Sequence, residues 1–584
     1  MKRGINIESI VKKDKVIYNW NDKEKEVKVM LTVLMEWIYI FFTTVILGYA
    51  FSRFVQNKLH YKIEKLHNLV MAGLVIVTVY AQIFSIFYKV GLEANMILSF
   101  VCIGIIFLYR KQMIMDVKSY VSRMKSFKGI LVFLLVLIWC YFTSRGIIHY
   151  DTDLYHAQSI RWIEEYGVVP GLGNLHVRFA YNSSMFALSA LYSMKFVLGQ
   201  SLHGISGFFA LLLSISVLDI MESWKEKHFR MSDYARIAAI YYLSMICDEV
   251  VSPASDYVIM CMIFYLVIEW LSILEVSNGK KESAVPHALL CVGGVFAVSL
   301  KLTAGLILIL VIKPAYILIK EKKWKQIFLY IGMGTIVIAP WIVRTVLISG
   351  YLLYPFPALD VFAVDWKINA KTAMLDSAEI KTWGRAIYDA SKVEMPITEW
   401  FPNWFASTLS GTEKVLILAD GLALVFFVVI TVNCFVKKKR EEIDFLFVMA
   451  AVASSYVFWQ VSAPLMRYGY SHVLLLVVLM LGYGMENLLY KKVGIKKAFY
   501  MFVICVGLIK IIPITKYALS VGEQPYYISQ KEYGNYASVA YEIKGETFYY
   551  PEEGDRIGYE AFPSSPTKSE IVFRGEKIKD GFRK

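Results

Sequence analysis

The amino-acid sequence predicts an all-α polytopic membrane protein of about 13–14 transmembrane helices, with a small extracytoplasmic C-terminal domain that contains β-strands. Three observations predict it. Of 584 residues, 57% are hydrophobic and only 19% charged, where a soluble globular chain carries roughly 25% charged residues. The apolar residues come in runs close to the ~20 residues that a helix needs to cross the hydrocarbon core. The segments between the runs fall into a short basic class and a long class rich in aromatics. A disulfide scaffold, a collagen, a coiled coil and a disordered tail are excluded as whole-chain readings.

Taken in order, residues 1–28 form a charged tail, and no cleavable signal peptide is expected because this tail precedes the first apolar run. Expected spans lie at 29–50, 69–88, 92–109, 129–147, 203–220, 236–250, 257–275, 286–300, 302–319, 328–346, 414–436, 445–461, 471–490 and 498–514. The first three form an N-terminal block, 29–128, and the others a core, 129–514, with long loops at 148–182 and 347–413. The pair 286–300 and 302–319 reads as two spans, one broken helix or a hairpin. Residues 183–199 are apolar but interrupted by Lys195, and a crossing there would invert the later charge pattern. They are expected to form a juxtamembrane or re-entrant helix, which membrane depth tolerates only where protein or a wet cavity surrounds it. The tail 515–584 has β-favouring runs such as Glu546-Thr547-Phe548-Tyr549-Tyr550-Pro551 between Gly and Pro signals, the pattern of a small strand domain.

Charge orients these elements. The balance of 62 basic and 48 acidic residues gives +14, which cytoplasmic loops absorb without any nucleic-acid partner. Short basic connections run Arg53 to Lys65, Arg110 to Lys128, Lys225 to Arg236, Lys280 and Lys281, Lys320 to Lys325, Lys437 to Arg440 and Lys491 to Lys497. The positive-inside rule puts them in the cytoplasm and 148–182, 347–413 and 515–584 outside a plasma membrane. Fourteen spans leave both ends outside, which conflicts with the basic N-terminal tail. A miscounted span, an interfacial first span or a natural start at Met30 would resolve this, and we favour the last. The seven cysteines all fall in apolar runs without zinc-type spacing, and read as small packing residues.

The chemical candidates cluster at the external ends. His149-Tyr150-Asp151-Thr152-Asp153-Leu154-Tyr155-His156, then Arg161, and His176 after a Gly turn, follow directly on a span. A carboxylate at this boundary can act as general base on a substrate whose lipid stays in the bilayer. Asp151 and Asp153 would splay on a helix; in an extended turn they would share a divalent cation, the one cofactor these residues suggest. An interfacial belt of Tyr, Trp and His is the structural alternative. Asp256 opens a span from the outer side, as a site residue or as a helix N-cap. Lys301 interrupts an apolar stretch at a cost on the order of 2.5–3.5 kcal/mol, so it faces a polar cavity or an anion, or snorkels to the interface. Arg467, followed by Tyr468, is the one charge in a short external turn; a guanidinium fork matches phosphate oxygens, or contacts a headgroup. The 347–413 loop, with Trp366, Trp383, Trp400 and Trp404, suits a mobile cover.

In this order the motifs resemble the GT-C superfamily of polytopic glycosyltransferases, which use polyprenyl-phosphate-linked donors. The resemblance runs over roughly 129–490: the Asp151/Asp153 loop after a span, the Ala-Ser-Asp256 hairpin, the Lys301 break, the Pro-Trp-x-x-Arg344 helix exit and the Arg467-Tyr468 turn. It implies a sugar donor on a polyprenyl phosphate and a glycan, lipid or protein acceptor. Asp151 or Asp153 would deprotonate the acceptor hydroxyl, and Arg467, with Lys301, would hold the leaving phosphate; His149, His156, Arg161, His176, Asp256 and Tyr468 complete the expected substrate site. The chain departs from the family in its three extra N-terminal spans, its histidine-flanked Asp-Thr-Asp and its C-terminal strand domain. A surface-polysaccharide polymerase or ligase is the nearest rival. A lipid or solute transporter ranks behind it, because no internal repeat is seen and the informative charges lie at the boundary.

Overall fold

The computed structural model describes residues 31–226, 229–276, 283–437, 442–488 and 529–584, with scattered positions between 494 and 516. The charged tail 1–28, Met30 and eight of the seventeen residues of the expected span 498–514 lie outside the described residues. The chain is predominantly helical. Among the described residues, eleven helices are long and apolar enough to cross a membrane. Two of the fourteen expected spans are shorter: 236–250 is a 16-residue helix, Met231–Ile246, and 286–300 a 17-residue helix, Ala284–Leu300.

The bundle opens with α1 (Leu31–Leu59), α2 (Leu66–Phe87), α3 (Leu92–Met124) and α4 (Phe127–Arg145). α1 and α2 approach through two glycines. A Cβ on Gly73 would lie 1.8 Å from the Thr44 carbonyl oxygen, and one on Gly48 1.9 Å from that of Leu69. Backbone-to-backbone contact of this kind is how small residues let apolar helices associate when burial alone gives no net drive. After α4 come a π-turn at Thr152–His156, α5 (Ala157–Glu165), 3₁₀ turns at Leu172–Asn174 and Val177–Ala180, α6 (Ser184–Tyr192) and α7 (Lys195–Leu198). Every residue of α6 is buried. Residues 183–193 are therefore enclosed by protein, whereas Phe196, Val197 and Leu198 of α7 are exposed.

The core continues through α8 (Ile205–Val217), α9 (Ile220–Glu226), α10 (Met231–Ile246), α11 (Ser255–Val276) and α12 (Ala284–Leu300). At Lys301 the backbone becomes extended, with φ −157° and ψ 126°, before a 3₁₀ stretch Leu302–Val311 and α13 (Ile312–Lys320). Gly294 faces Ile307 and Leu308, so the two arms fold back on each other as a hairpin with Lys301 at the tip. α14 (Trp324–Ser349), α15 (Ala370–Gly384), α16 (Ile397–Ser407), α17 (Gly411–Lys437), α18 (Ile443–Ser462) and α19 (Met466–Tyr483) follow. α11 buries an unbroken run from Asp256 to Leu271, whereas α3 and α17 turn Phe100, Phe107, Leu422, Val425 and Phe435 outward. A helix apolar all round needs protein or lipid on every side.

The C-terminal region holds two small antiparallel sheets. β1 (Ser538–Ile543) pairs with β2 (Glu546–Pro551) across a Lys544-Gly545 turn in which both residues have positive φ, the twist that suits a two-residue hairpin. β3 (Val572–Phe573) pairs with β4 (Phe582–Arg583). Phe548, Phe573 and Phe582 meet Trp162 of α5 in one buried cluster, so this region packs onto segment 148–182. The 347–413 loop is likewise built, carrying α15 and α16 with Trp400 and Trp404 buried.

The glycine contact sets a test. Gly73→Val should destabilise by at least about 2 kcal/mol through overpacking. Gly104→Ala, where a Cβ meets open space, should leave the melting temperature in detergent unchanged. Equal melting temperatures for the two variants would contradict the close α1–α2 approach.

Candidate active site

Four separated pieces of chain end at one place: the residues after α4, the first turn of α11, the tip of the α12–α13 hairpin and the first turn of α19. Arg467 lies at the centre. Its Nη2 donates to Asp151 Oδ2 at 2.6 Å and to the Tyr468 hydroxyl at 3.0 Å, and its Nη1 donates to the His149 ring. Its Nε is 3.7 Å from Asp256 Oδ2, and the other Asp256 oxygen pairs with the Lys301 ammonium. Lys301 Nζ sits 3.8 Å from the centroid of the Tyr468 ring, a cation–π contact. Two carboxylates and two cations thus alternate at the end of an apolar bundle. Asp256 is buried and directs its oxygens at these cations; among the described contacts it caps no backbone N–H.

Local conformation explains the aim of each group. The N–H of His149 donates to Ser252 Oγ at 2.7 Å, which ties the segment after α4 to the turn before α11. Burial pushes the Asp151 carboxyl up, but Arg467, His156, His149 and Arg178 together bring it below its ordinary value. His149 is held below its usual pKa by burial and by Arg467, so it stays neutral at pH 7.

Asp153 goes elsewhere. The π-turn makes residues 152–156 helical, so the two aspartates splay. Asp153 Oδ1 accepts from the Gly534 N–H at 3.0 Å and Oδ2 from the Tyr536 hydroxyl at 2.7 Å. Its carbonyl accepts from the N–H groups of Ile557 and Gly558 at 2.9 and 2.8 Å. This corrects the expected shared cation: Asp151 and Asp153 face different partners, and the oxygens of Asp151 and Asp256 are already matched by a guanidinium and an ammonium. The residues do not fit a divalent ion.

Three other expected site residues make contacts of their own. Arg161 donates to the carbonyls of Tyr559 and Glu560 and lies over the Tyr559 and Phe562 rings, anchoring the C-terminal region. His156 is buried against Tyr155 and Phe186, and burial pushes its pKa down to about 3. His176, half-buried against Phe179, is also pushed down to about 3 by desolvation. Of the ten candidates, His149, Asp151, Asp256, Lys301, Arg467 and Tyr468 converge and the other four do not.

The sequence reading missed Arg178. Burial pulls its pKa down, yet Tyr181, Asp376, Tyr155 and Tyr468 raise it above the ordinary value, so it stays charged beside the cluster. Its Nε is 3.8 Å from Asp376 Oδ1 of α15, whose Oδ2 accepts from the hydroxyls of Tyr181 and, at 2.9 Å, Tyr354. The expected cover loop therefore reaches the site through Asp376. Nothing in the spelling Val177-Arg178-Phe179 separates this arginine from an interfacial one. Arg344 lies behind it, buried, donating to Asn182 Oδ1 at 3.0 Å and to Ser85, which fixes the strand of chain that carries Arg178.

Two outcomes follow. Asp153→Ala should loosen the C-terminal region and raise the rate of proteolytic cleavage within 529–584, while Asp151→Ala should not; equal cleavage rates would refute the division of roles. Second, His156 and His203 are buried and His176 half-buried, with pKa values pushed down to about 3, 4 and 3, so the unfolded chain binds more protons below pH 6.5. Stability should fall as pH drops from 7 to 5, by roughly 2 kcal/mol per histidine. A melting temperature in detergent that rises or stays flat over that range would contradict their neutral burial.

A family model described as a domain of unknown function (DUF8201) matches residues 30–474, which takes in the whole candidate site up to Arg467 and Tyr468. No curated protein and no solved structure matches the chain.

Proposed function

The chain belongs to the DUF8201 family, and from that premise we propose that it is a multi-pass plasma-membrane glycosyltransferase of GT-C type, acting at the outer face on a polyprenyl-phosphate-linked sugar. The acceptor is a glycan, lipid or protein of the cell surface. The observation that carries this reading is the contact of Asp151 with Arg467, with Asp256 and Lys301 beside it. Eleven apolar helices and the outward apolar side chains of α3 and α17 support a bilayer location. The basic loops at the opposite ends of the helices support the orientation.

In the proposed reaction the acceptor oxygen attacks the anomeric carbon of the donor sugar. The carbon–oxygen bond to phosphate breaks, and the hydroxyl proton passes to Asp151. The leaving polyprenyl phosphate gains negative charge, which Arg467, Lys301 and Arg178 stabilise. The Asp151–Arg467 contact gives a reason for the order of events. A guanidinium drawn to the phosphate no longer holds the Asp151 carboxyl low, so donor binding restores the basicity that the acceptor step requires. Asp256 keeps Lys301 and Arg467 in register without occupying the acceptor position.

Asp151→Asn should lower product formation by at least about 100-fold while the protein still elutes as a single species. Arg467→Ala should lower turnover by a similar factor and also weaken inhibition by free polyprenyl phosphate. Full activity in Asp151→Asn would reject the base assignment. Unchanged inhibition in Arg467→Ala would reject the phosphate site.

A further inference from the structure

The proposed transfer leaves one polar side chain of the site unused. The helix that begins at Tyr150 passes through the π-turn into α5 without a break. Tyr155, four residues after Asp151, therefore returns to the face that carries Asp151, whereas Asp153 serves the C-terminal region. The Tyr155 ring packs against both of the larger apolar clusters. Between centroids it lies 4.3 Å from the His156 ring and 6.4 Å from that of Tyr181. Arg178 stands over the same Tyr181 ring, 5.9 Å from its centroid.

The Tyr155 hydroxyl faces charge. Asp151 and Tyr468, the two groups to which Arg467 Nη2 donates, surround it together with Asp256 and Arg178. Burial, Asp151, Tyr468 and Asp256 push its pKa well above the ordinary value against the pull of Arg178, so the oxygen keeps its proton. Among the described residues this donor makes no hydrogen bond, and its oxygen is not sealed from solvent. The Arg178 guanidinium is in the same state. Its one ion-pair contact among the described residues is Asp376 at 3.8 Å, beyond hydrogen-bond reach, and its side chain is 27% exposed. Asp376 accepts instead from the Tyr181 and Tyr354 hydroxyls. The other cations of the site are committed, Arg467 to Asp151 and Lys301 to Asp256. Two neighbouring donors without an acceptor, one of them cationic and both open to solvent, match one ligand chemistry: an oxyanion whose oxygens take both bonds.

We infer that Tyr155 and Arg178 form the seat of the donor's phosphate, the hydroxyl and the guanidinium each donating to a phosphate oxygen. Arg467 and Lys301 are already paired, so the phosphate docks here before it engages them. The inference rests on the proposed reading for the lipid that carries the phosphate, and the seat itself is measured without turnover.

The test uses the full chain, purified in detergent, and equilibrium binding of polyprenyl monophosphate, of polyprenol with the same chain, and of inorganic phosphate as competitor. Tyr155→Phe keeps the ring and its packing and removes only the donor. It should weaken polyprenyl monophosphate about tenfold, leave polyprenol unchanged and blunt competition by inorganic phosphate. Tyr166→Phe, whose ring stacks on Phe562 of the C-terminal region, should bind all three as the wild type does. Should Tyr155→Phe not fold, Arg178→Gln tests the same seat, with the same selective loss of the phosphorylated lipid. Equal affinity of wild type and Tyr155→Phe for polyprenyl monophosphate, or an equal loss for polyprenol, would overturn the seat. Product formed by the wild type alongside that equal affinity would leave the transferase reading standing without it. Selective loss of the phosphorylated lipid, with no sugar transfer by the wild type, would keep the seat and reject the transfer.

Discussion

A guanidinium held between two carboxylates, where Arg467 meets Asp151 and approaches Asp256, is the constraint around which the architecture is arranged. Removing charges from water costs several kcal/mol per ion, and a well-packed apolar replacement is commonly as stable. The cluster is therefore a poor device for stability alone. It does impose register. The end of α4, the start of α11, the tip of the α12–α13 hairpin and the start of α19 must all arrive at one level, because each carries a charge whose counter-charge is on another piece. Such a cluster also answers to an incoming anion, since a phosphate competes for the cations and changes the state of the carboxylates they hold.

Around it the segment 148–182 serves as a platform with two faces. One face presents His149 and Asp151 to Arg467. The other, through Asp153, Gln158, Arg161 and Glu164, holds the C-terminal strand region, where Gln158 donates to the Ala561 carbonyl at 2.7 Å and the Tyr559 hydroxyl donates to Glu164. The π-turn at Thr152–His156 lets neighbouring acids serve different faces. The loop before α17 approaches from a third side, where Asp376 meets Arg178 and Tyr181. Segment 347–413 and the C-terminal region thus converge on the same platform.

Much of this was legible in the sequence, for physical reasons that can be named. Apolar runs near the bilayer thickness located the long helices, and the stretch interrupted by Lys195 holds only the short helices α6 and α7. Lys301 marked the hairpin tip, because an ammonium in an apolar run must find a partner, and the partner is Asp256. The Gly and Pro punctuation of 515–584 located the strands. What failed was pairing at short range. Asp151 and Asp153 differ by two positions, and only the backbone conformation between them decides whether they share a ligand or part. The histidines failed for a related reason: His156 and His176 are neutral packing residues, indistinguishable by spelling from the functional kind. Arg178 and Asp376 lie some two hundred positions apart, and nothing local in either announces the other.

The most direct measurement is product mass analysis after the purified protein is incubated with a panel of polyprenyl-phosphate sugars and candidate surface acceptors. The account predicts an acceptor heavier by one sugar residue and release of polyprenyl phosphate, with no requirement for added divalent cation. Movement of an intact lipid or solute across reconstituted vesicles, with no covalent change in any donor, would contradict it.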